Sequence, residues 1–216
     1  IGRAVALKFL DQGHNVVGFD IEESTIDLKN YTHIVHDIKN VPNFKEGLVP
    51  FDIIINNAGI QTDYTGAENL DIDTNLKGTI KFTEYFLKDK PTSVLFVGSV
   101  SAHTGSEFPE YVASKGGLIA YMKNVAMRAT KWGGTCNSLD PGGVLTDLNQ
   151  PVLENRELWN QIMKVTPLKR WATPEEIAEW AYFLTVTQSF CTGQSIVVDG
   201  GERDCNSTFV WPGWSI

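Results

Sequence analysis

Cysteine is scarce. Cys136, Cys191 and Cys205 are the three present in 216 residues, an odd number at wide spacing. That excludes a disulfide framework and offers no zinc-ligand spacing, so a reducing cytoplasm is the expected compartment. The four histidines, His14, His33, His36 and His103, are scattered too, and no metal site is expected. No apolar run approaches the roughly 20 residues of a membrane span, and the first residues lack the basic, apolar and small-residue zones of a signal peptide. Basic charge is short: 18 Lys and Arg stand against 26 Asp and Glu, a formal net charge of −8. This argues against nucleic acid or an anionic membrane as partner. Repeats, low-complexity tracts and linkers are missing, so one domain over 1–216 is expected.

What is present alternates between two periods. Residues 2–12 read as an amphipathic helix closed by Gly13. Short β-branched or apolar runs follow at 14–20, 32–37, 51–56, 93–98, 135–139 and 195–198. Helical periods occupy 67–88, 109–131 with Pro109 near its start, and 174–187, which opens Thr173-Pro174-Glu175-Glu176. Short apolar strands alternating with helices predict an α/β fold whose parallel sheet is covered on both faces. In such sheets ligands bind at the carboxyl ends of the strands. Asp20, Asp37, Asn56-Asn57-Ala58-Gly59, Gly98-Ser99 and Pro141-Gly142 all fall there.

Asp20 ends the strand after the first helix. An acid at that point of a dinucleotide-binding unit accepts hydrogen bonds from the adenosine ribose and repels a 2′-phosphate. The neighbourhood, Phe19-Asp20-Ile21-Glu22-Glu23, holds no Arg or Lys, which favours NAD over NADP. Tyr111 and Lys115 are four apart on a helix and so share a face. A cation beside a phenol stabilises the phenolate, so Lys115 is expected to lower the Tyr111 pKa and fit it for general acid–base work. Ser99, with Ser101 as a second candidate at the same bend, can polarise a substrate carbonyl, and Asn75 is a polar residue within a packed helix that needs a partner.

The ordered set Asn56-Asn57-Ala58-Gly59, Asn75, Ser99, Tyr111-x-x-x-Lys115, Pro141-Gly142 with Thr146, and Val198-Asp199-Gly200-Gly201 resembles the short-chain dehydrogenase/reductase family over essentially the whole chain. The resemblance implies a single-domain Rossmann-type, doubly wound parallel sheet in three α/β/α layers. It implies a catalytic tetrad in which Ser99 orients a carbonyl, Tyr111 gives or takes the hydroxyl proton, Lys115 supports Tyr111 and binds the nicotinamide ribose, and Asn75 holds a water in a proton relay. For the cofactor it implies contacts from Ile1, Gly2, Asp20, Asp37, Ile38, Asn57, Ala58, Gly59, Tyr111, Lys115 and the segment Pro141, Gly142, Val144, Thr146. The activity implied is hydride transfer between NAD(H) and a secondary alcohol or ketone, in a cytoplasmic homo-oligomer, a dimer or a homotetramer. An enzymatic alternative is a 3-oxoacyl-(acyl-carrier-protein) reductase using NADPH. An alternative of another class is a non-catalytic dinucleotide sensor or scaffold.

The chain departs from that pattern in places. Ile1-Gly2 looks like the end of a T-G-x-x-x-G-I-G loop, and the first strand and two loop glycines are expected upstream. The stretch from Asp20 to Asp37 leaves room for about two helical turns over Glu23 to Asn30. His103 reads as a surface loop residue. Residues 145–172 are expected to form a packed helical pair that also serves as a substrate lid. The aromatic tail at 209–214 is expected to pack on a neighbouring subunit or the substrate mouth.

Overall fold

The computed structural model describes residues 1–40, 50–63 and 69–205. The aromatic tail therefore lies outside the described residues. Helix α1 spans Gly2–Asp11, followed by strands β1 (Val16–Asp20), β2 (Tyr31–Val35) and β3 (Ile53–Asn56). A wide π-helical segment, Ile72–Gly78, runs into α2 (Thr79–Phe86). Then come β4 (Ser93–Val97), the short α3 (Ser101–Thr104), the long α4 (Pro109–Ala129) and β5 (Thr135–Pro141). Helices α5 (Gln150–Leu153), α6 (Arg156–Val165) and α7 (Pro174–Tyr182) precede β6 (Ser195–Val198).

Every strand pair is parallel. Strand β4 is buried at all five positions, as its unbroken apolar run requires in a sheet covered on both faces. Successive side chains of a strand point to opposite faces. Val94 and Phe96 accordingly join Ile54, Phe82, Phe86, Leu118, Met122 and Val125 under α2 and α4. Leu95 joins Leu139, Val5, Phe9, Ile177 and Ala181 under α1 and α7. The result is the three-layer Rossmann-type architecture. Helix α7 starts where its sequence predicts: Thr173 accepts from Glu176 N at 3.2 Å while Glu176 accepts from Thr173 N at 2.9 Å, a reciprocal cap.

Two features differ from a single regular sheet. Strands β1 and β2 pair with each other, and β3-β4-β5-β6 form a second sheet. Residues Val16–Asp20 and Ile53–Asn56 both line one cavity of about 810 Å³. The aromatic ring of Phe19 crosses this seam, lying 5.0 Å from Phe82 and 5.9 Å from Phe86 between centroids. In addition, residues 21–30 contain no helix. Side chains there bond to the backbone instead: Asp20 Oδ1 accepts from Glu22 N at 3.1 Å and Ser24 Oγ from Ile26 N at 2.9 Å. Such local bonds compete with helical pairing.

Between β5 and α7, residues 145–172 form the helices α5 and α6, and the side chains of α6 all remain at least partly exposed. Trp159 of α6 meets Trp171 edge-on, with centroids 5.2 Å apart. The Trp171 ring is buried directly against Gly143.

Candidate active site

The carboxyl end of β4 carries the first functional group. The chain bends at Gly98-Ser99, and Val100 N donates to Pro141 O at 2.9 Å, tying the bend to the end of β5. Ser99 is buried, and its Oγ accepts from Ser101 Oγ at 2.8 Å and from Ser101 N at 3.2 Å. Because Ser101 donates twice, the Ser99 hydroxyl proton is free to point forward. Ser99 lies near enough to Tyr111 for its hydroxyl to favour the phenolate. Of the two serines the sequence offers, Ser99 is thus the one at Tyr111 and Ser101 its support.

Helix α4 brings Tyr111 and Lys115 to the same place. Lys115 is 5% exposed, its Nζ donates to Val97 O at 3.0 Å, and it lies 5.6 Å from the centre of the Tyr111 ring. Asn75 arrives from the π-helical segment, a helix form that concentrates at functional sites. Its Nδ2 donates to Ile60 O at 2.8 Å and to Ser114 Oγ at 3.1 Å, and its Oδ1 accepts from Ile60 N at 2.8 Å. Asn75 thus pins the segment after β3 to the residue beside Lys115. The four groups Asn75, Ser99, Tyr111 and Lys115 are collected around one end of the β4 strand.

The electrostatics differ from the sequence expectation. Tyr111 is pushed up to about 12, chiefly because burial penalises the phenolate. The Ser99 hydrogen bond works downward, while the carboxylates of Glu107 and Asp71 push further up. Lys115 is lowered to about 8 by burial, against the pull of Asp140, Glu107 and Asp71. Desolvation is the largest cause of both shifts. Burial also raises Glu107, which accepts from Gln61 Nε2 at 2.7 Å.

The cofactor-facing residues run along the strand ends. Gly2 opens α1, whose first turn has no side-chain cap, so its N–H groups are available to an anion. A Cβ on Gly2 would come within 2.6 Å of Asn57 Nδ2, so α1 and the Asn57–Gly59 segment touch. A Cβ on Gly59 would stand 3.1 Å from Asn75 Oδ1 and 3.4 Å from Lys115 Nζ; glycine there leaves the floor beside the lysine open. Asp20 is exposed at the end of β1. The nearest arginine along the chain, Arg3, donates to Thr25 Oγ1 at 3.0 Å. Asp37 accepts from Lys39 N at 2.9 Å, whereas the Ile38 side chain turns into the core. Gly142 N donates to Val198 O at 3.0 Å, and Val144 is buried while Thr146 stays partly exposed. A glycine floor, helix amides without a side-chain cap and an exposed carboxylate at a strand end fit a dinucleotide.

One cluster escaped the sequence. Asp140, at the end of β5, is 0% exposed. Its Oδ2 lies 2.7 Å from His103 Nε2, and Ser138 Oγ donates to its Oδ1. A Cβ on Gly98 would overlap that Oδ1. His103 is therefore tied into the site rather than being a free loop residue, and its side chain is 21% exposed. The signal in the sequence was an acid, Asp140, at the end of a strand in a sheet covered on both faces, since an unpaired buried carboxylate is costly.

Residues 1–202 match the family model described as Enoyl-(Acyl carrier protein) reductase. A 3-oxoacyl-(acyl-carrier-protein) reductase of Staphylococcus aureus (strain Mu50 / ATCC 700699) is 30% identical, with 93% of this chain and 93% of that protein covered. An L-rhamnose 1-dehydrogenase (NADP(+)) of Thermoplasma acidophilum is 27% identical over 93% of this chain and 91% of its own length. Among solved structures, the ligand-free aldohexose dehydrogenase of Thermoplasma acidophilum superposes with a TM-score of 0.82 at 26% identity, covering 98% of this chain and 92% of that one.

Proposed function

The chain belongs to the short-chain dehydrogenase/reductase family of nicotinamide-dependent oxidoreductases, and from that premise we propose that it interconverts a secondary alcohol and a ketone with NAD(H), using Ser99, Tyr111, Lys115 and Asn75. The observation that carries this reading is the buried ammonium of Lys115, fixed on Val97 O two residues before Ser99 and set beside the Tyr111 ring, with Asn75 bonded to the neighbouring Ser114. A bound nicotinamide ring supplies or accepts the hydride. The protein's own groups handle the proton and the oxygen.

Ser99 holds the substrate oxygen with the proton that Ser101 leaves free. Tyr111, a phenol rather than a phenolate at neutral pH, donates its proton to that oxygen in reduction and recovers one in oxidation. Lys115 carries the positive charge that stabilises the transient phenolate and offers a donor to the nicotinamide ribose. Asn75 uses both amide hydrogens on Ile60 and Ser114, so its part in a water relay rests on its remaining acceptor capacity. Gly2, Asn57, Ala58 and Gly59 cradle the dinucleotide, and Asp20 takes the adenosine ribose. The segment 145–172 closes over the substrate, with Trp171 backing Gly143.

The name of the Staphylococcus aureus relative favours a second reading, reduction of 3-oxoacyl thioesters with NADPH. The carboxylate at Asp20 and the net charge of −8 count against it, the latter by repelling an acidic carrier protein. A sensor without chemistry has no use for the four converging groups. The test is a panel of secondary alcohols and ketones, with 3-oxoacyl thioesters included, read by nicotinamide absorbance with both cofactors. Turnover of an alcohol or ketone with NAD(H) supports the proposal. Turnover confined to 3-oxoacyl thioesters, a tenfold preference for NADPH, or no turnover at all overturns it.

A further inference from the structure

The Asp140 cluster has no part in the chemistry set out above, and it occupies an unusual place. Strand β5 lies beside β4, and Asp140 extends its carboxylate beneath the bend that follows β4. Gly98 of that bend and His103 beyond it meet the carboxylate, and two more residues, Val97 and Ser99, carry groups of the site. Val97 gives its carbonyl to Lys115 at 3.0 Å. Gly98, lacking a Cβ, leaves the space that Asp140 Oδ1 fills, and a Cβ there would also sit 2.8 Å from Ser138 Oγ. Ser99 faces Tyr111. His103, from α3 just beyond, closes on Asp140 Oδ2 at 2.7 Å.

We propose that Asp140 is a positioning residue for Lys115: a carboxylate locked under the catalytic bend by Ser138 and His103 that keeps the buried ammonium charged. This rests on the family chemistry assigned to Lys115 above. A lysine ammonium taken out of water loses its proton more readily unless negative charge lies near it. Three carboxylates act on Lys115: Asp140 from β5, Glu107 from the turn before α4, and Asp71 at the start of the π-helical segment. Tyr111 faces it from its own helix. Asp140 and Asp71 are both wholly shielded from solvent; Asp140 has both oxygens held by side chains, whereas Asp71 accepts from Thr62 N through Oδ2. Arg203, beyond β6, also feels the Asp140 charge, and Asp204 faces His103. The clasp does two jobs at once. It holds negative charge near Lys115 and fastens the backbone that presents Ser99.

The test reads the lysine directly and does not depend on knowing the substrate. The full chain is labelled with 13C at the lysine ε carbon, and the Lys115 signal is assigned by its loss in Lys115→Met. Its titration is then followed in the native sequence, in Asp140→Asn and in Asp140→Ser, with melting curves to show that each variant is folded. Removing the carboxylate should move the Lys115 midpoint down by about one pH unit, the lower end of the effect of a charge at close range. A midpoint that stays within about 0.2 units in a folded variant overturns the proposal. Failure of both variants to fold overturns it too, because Asp140 is then a structural group. Absence of enzymatic turnover would sink the proposed function while leaving this titration readable.

Discussion

The ammonium of Lys115 is anchored on the carbonyl oxygen of Val97, 3.0 Å away, two residues before Ser99. One backbone segment thus sets both the cation and the hydroxyl of the site. The anchor is buried, and the cost of that burial is visible in the lowered proton affinity of the lysine.

That cost has a pH signature. Lys115 loses its proton at about 8 in the folded chain and at its ordinary 10.5 when unfolded. Below 8 both states carry the charge, and the folded state bears the full burial penalty. Between 8 and 10.5 the unfolded chain binds more protons, so the Lys115 contribution to stability rises with pH. In Lys115→Met the penalty is gone at every pH. The difference in melting temperature between Lys115→Met and the native sequence should therefore shift steadily in favour of the native sequence from pH 7 to pH 10. A difference constant across that range would show that Lys115 is not the buried cation described.

Tyr111→Phe removes the proton donor and little else, since the ring keeps its packing. Turnover should fall by about 10²- to 10⁴-fold, the range for loss of a general acid. NADH affinity, measured by fluorescence titration, should stay within about twofold. Substantial residual turnover would assign the proton to another group.

Asp20→Ala tests the choice of dinucleotide. Removing the carboxylate should raise the NADPH to NADH ratio of kcat/KM by about tenfold, the equivalent of roughly 1.4 kcal/mol of relieved repulsion. An unchanged ratio would place cofactor selection elsewhere.

Thr173→Ala breaks the reciprocal cap of α7. Chemical denaturation should show a loss of about 1 kcal/mol, typical of a missing N-cap hydroxyl. Cofactor binding should be unaffected, because α7 packs on α1 and β5 away from Lys115. A loss near zero would mean that Arg170, paired with Glu176 at 2.7 Å, holds the helix start unaided.

Much of this was legible along the chain because it is local. The continuous apolar run of β4, Pro109 at the head of α4 and the Thr173–Glu176 box each carry their signal within a few residues. Tyr111 and Lys115 could be paired by helical spacing alone. What could not be read was environmental. Spacing places a cation next to a phenol but says nothing of burial, which drives Tyr111 up instead of down. His103 and Asp140 are 37 residues apart in sequence, and only the folding of α3 against the end of β5 joins them. Residues 23–30 had room for two turns, yet Asp20 and Ser24 spend their oxygens on nearby amides. The inward turn of Ile38 and the burial of Val144 likewise depend on the layers above them.

The seam between β1 and β3 has a consequence for how the ends of the dinucleotide groove are held apart. Asp20 rides on one sheet, and the residues after Asn56 and Ser99 ride on the other. Side-chain packing contributes to the span between them, with the Phe19 ring against Phe82 and Phe86. Phe19→Ala should cost about 3 kcal/mol of stability, read by urea denaturation. It should also weaken NADH binding, since Phe19 precedes Asp20 and lines the same cavity as Asn57 and Ala58. The spacing of the two halves of the groove is in this way partly a property of the aromatic core, and a change to an apolar ring can detune it.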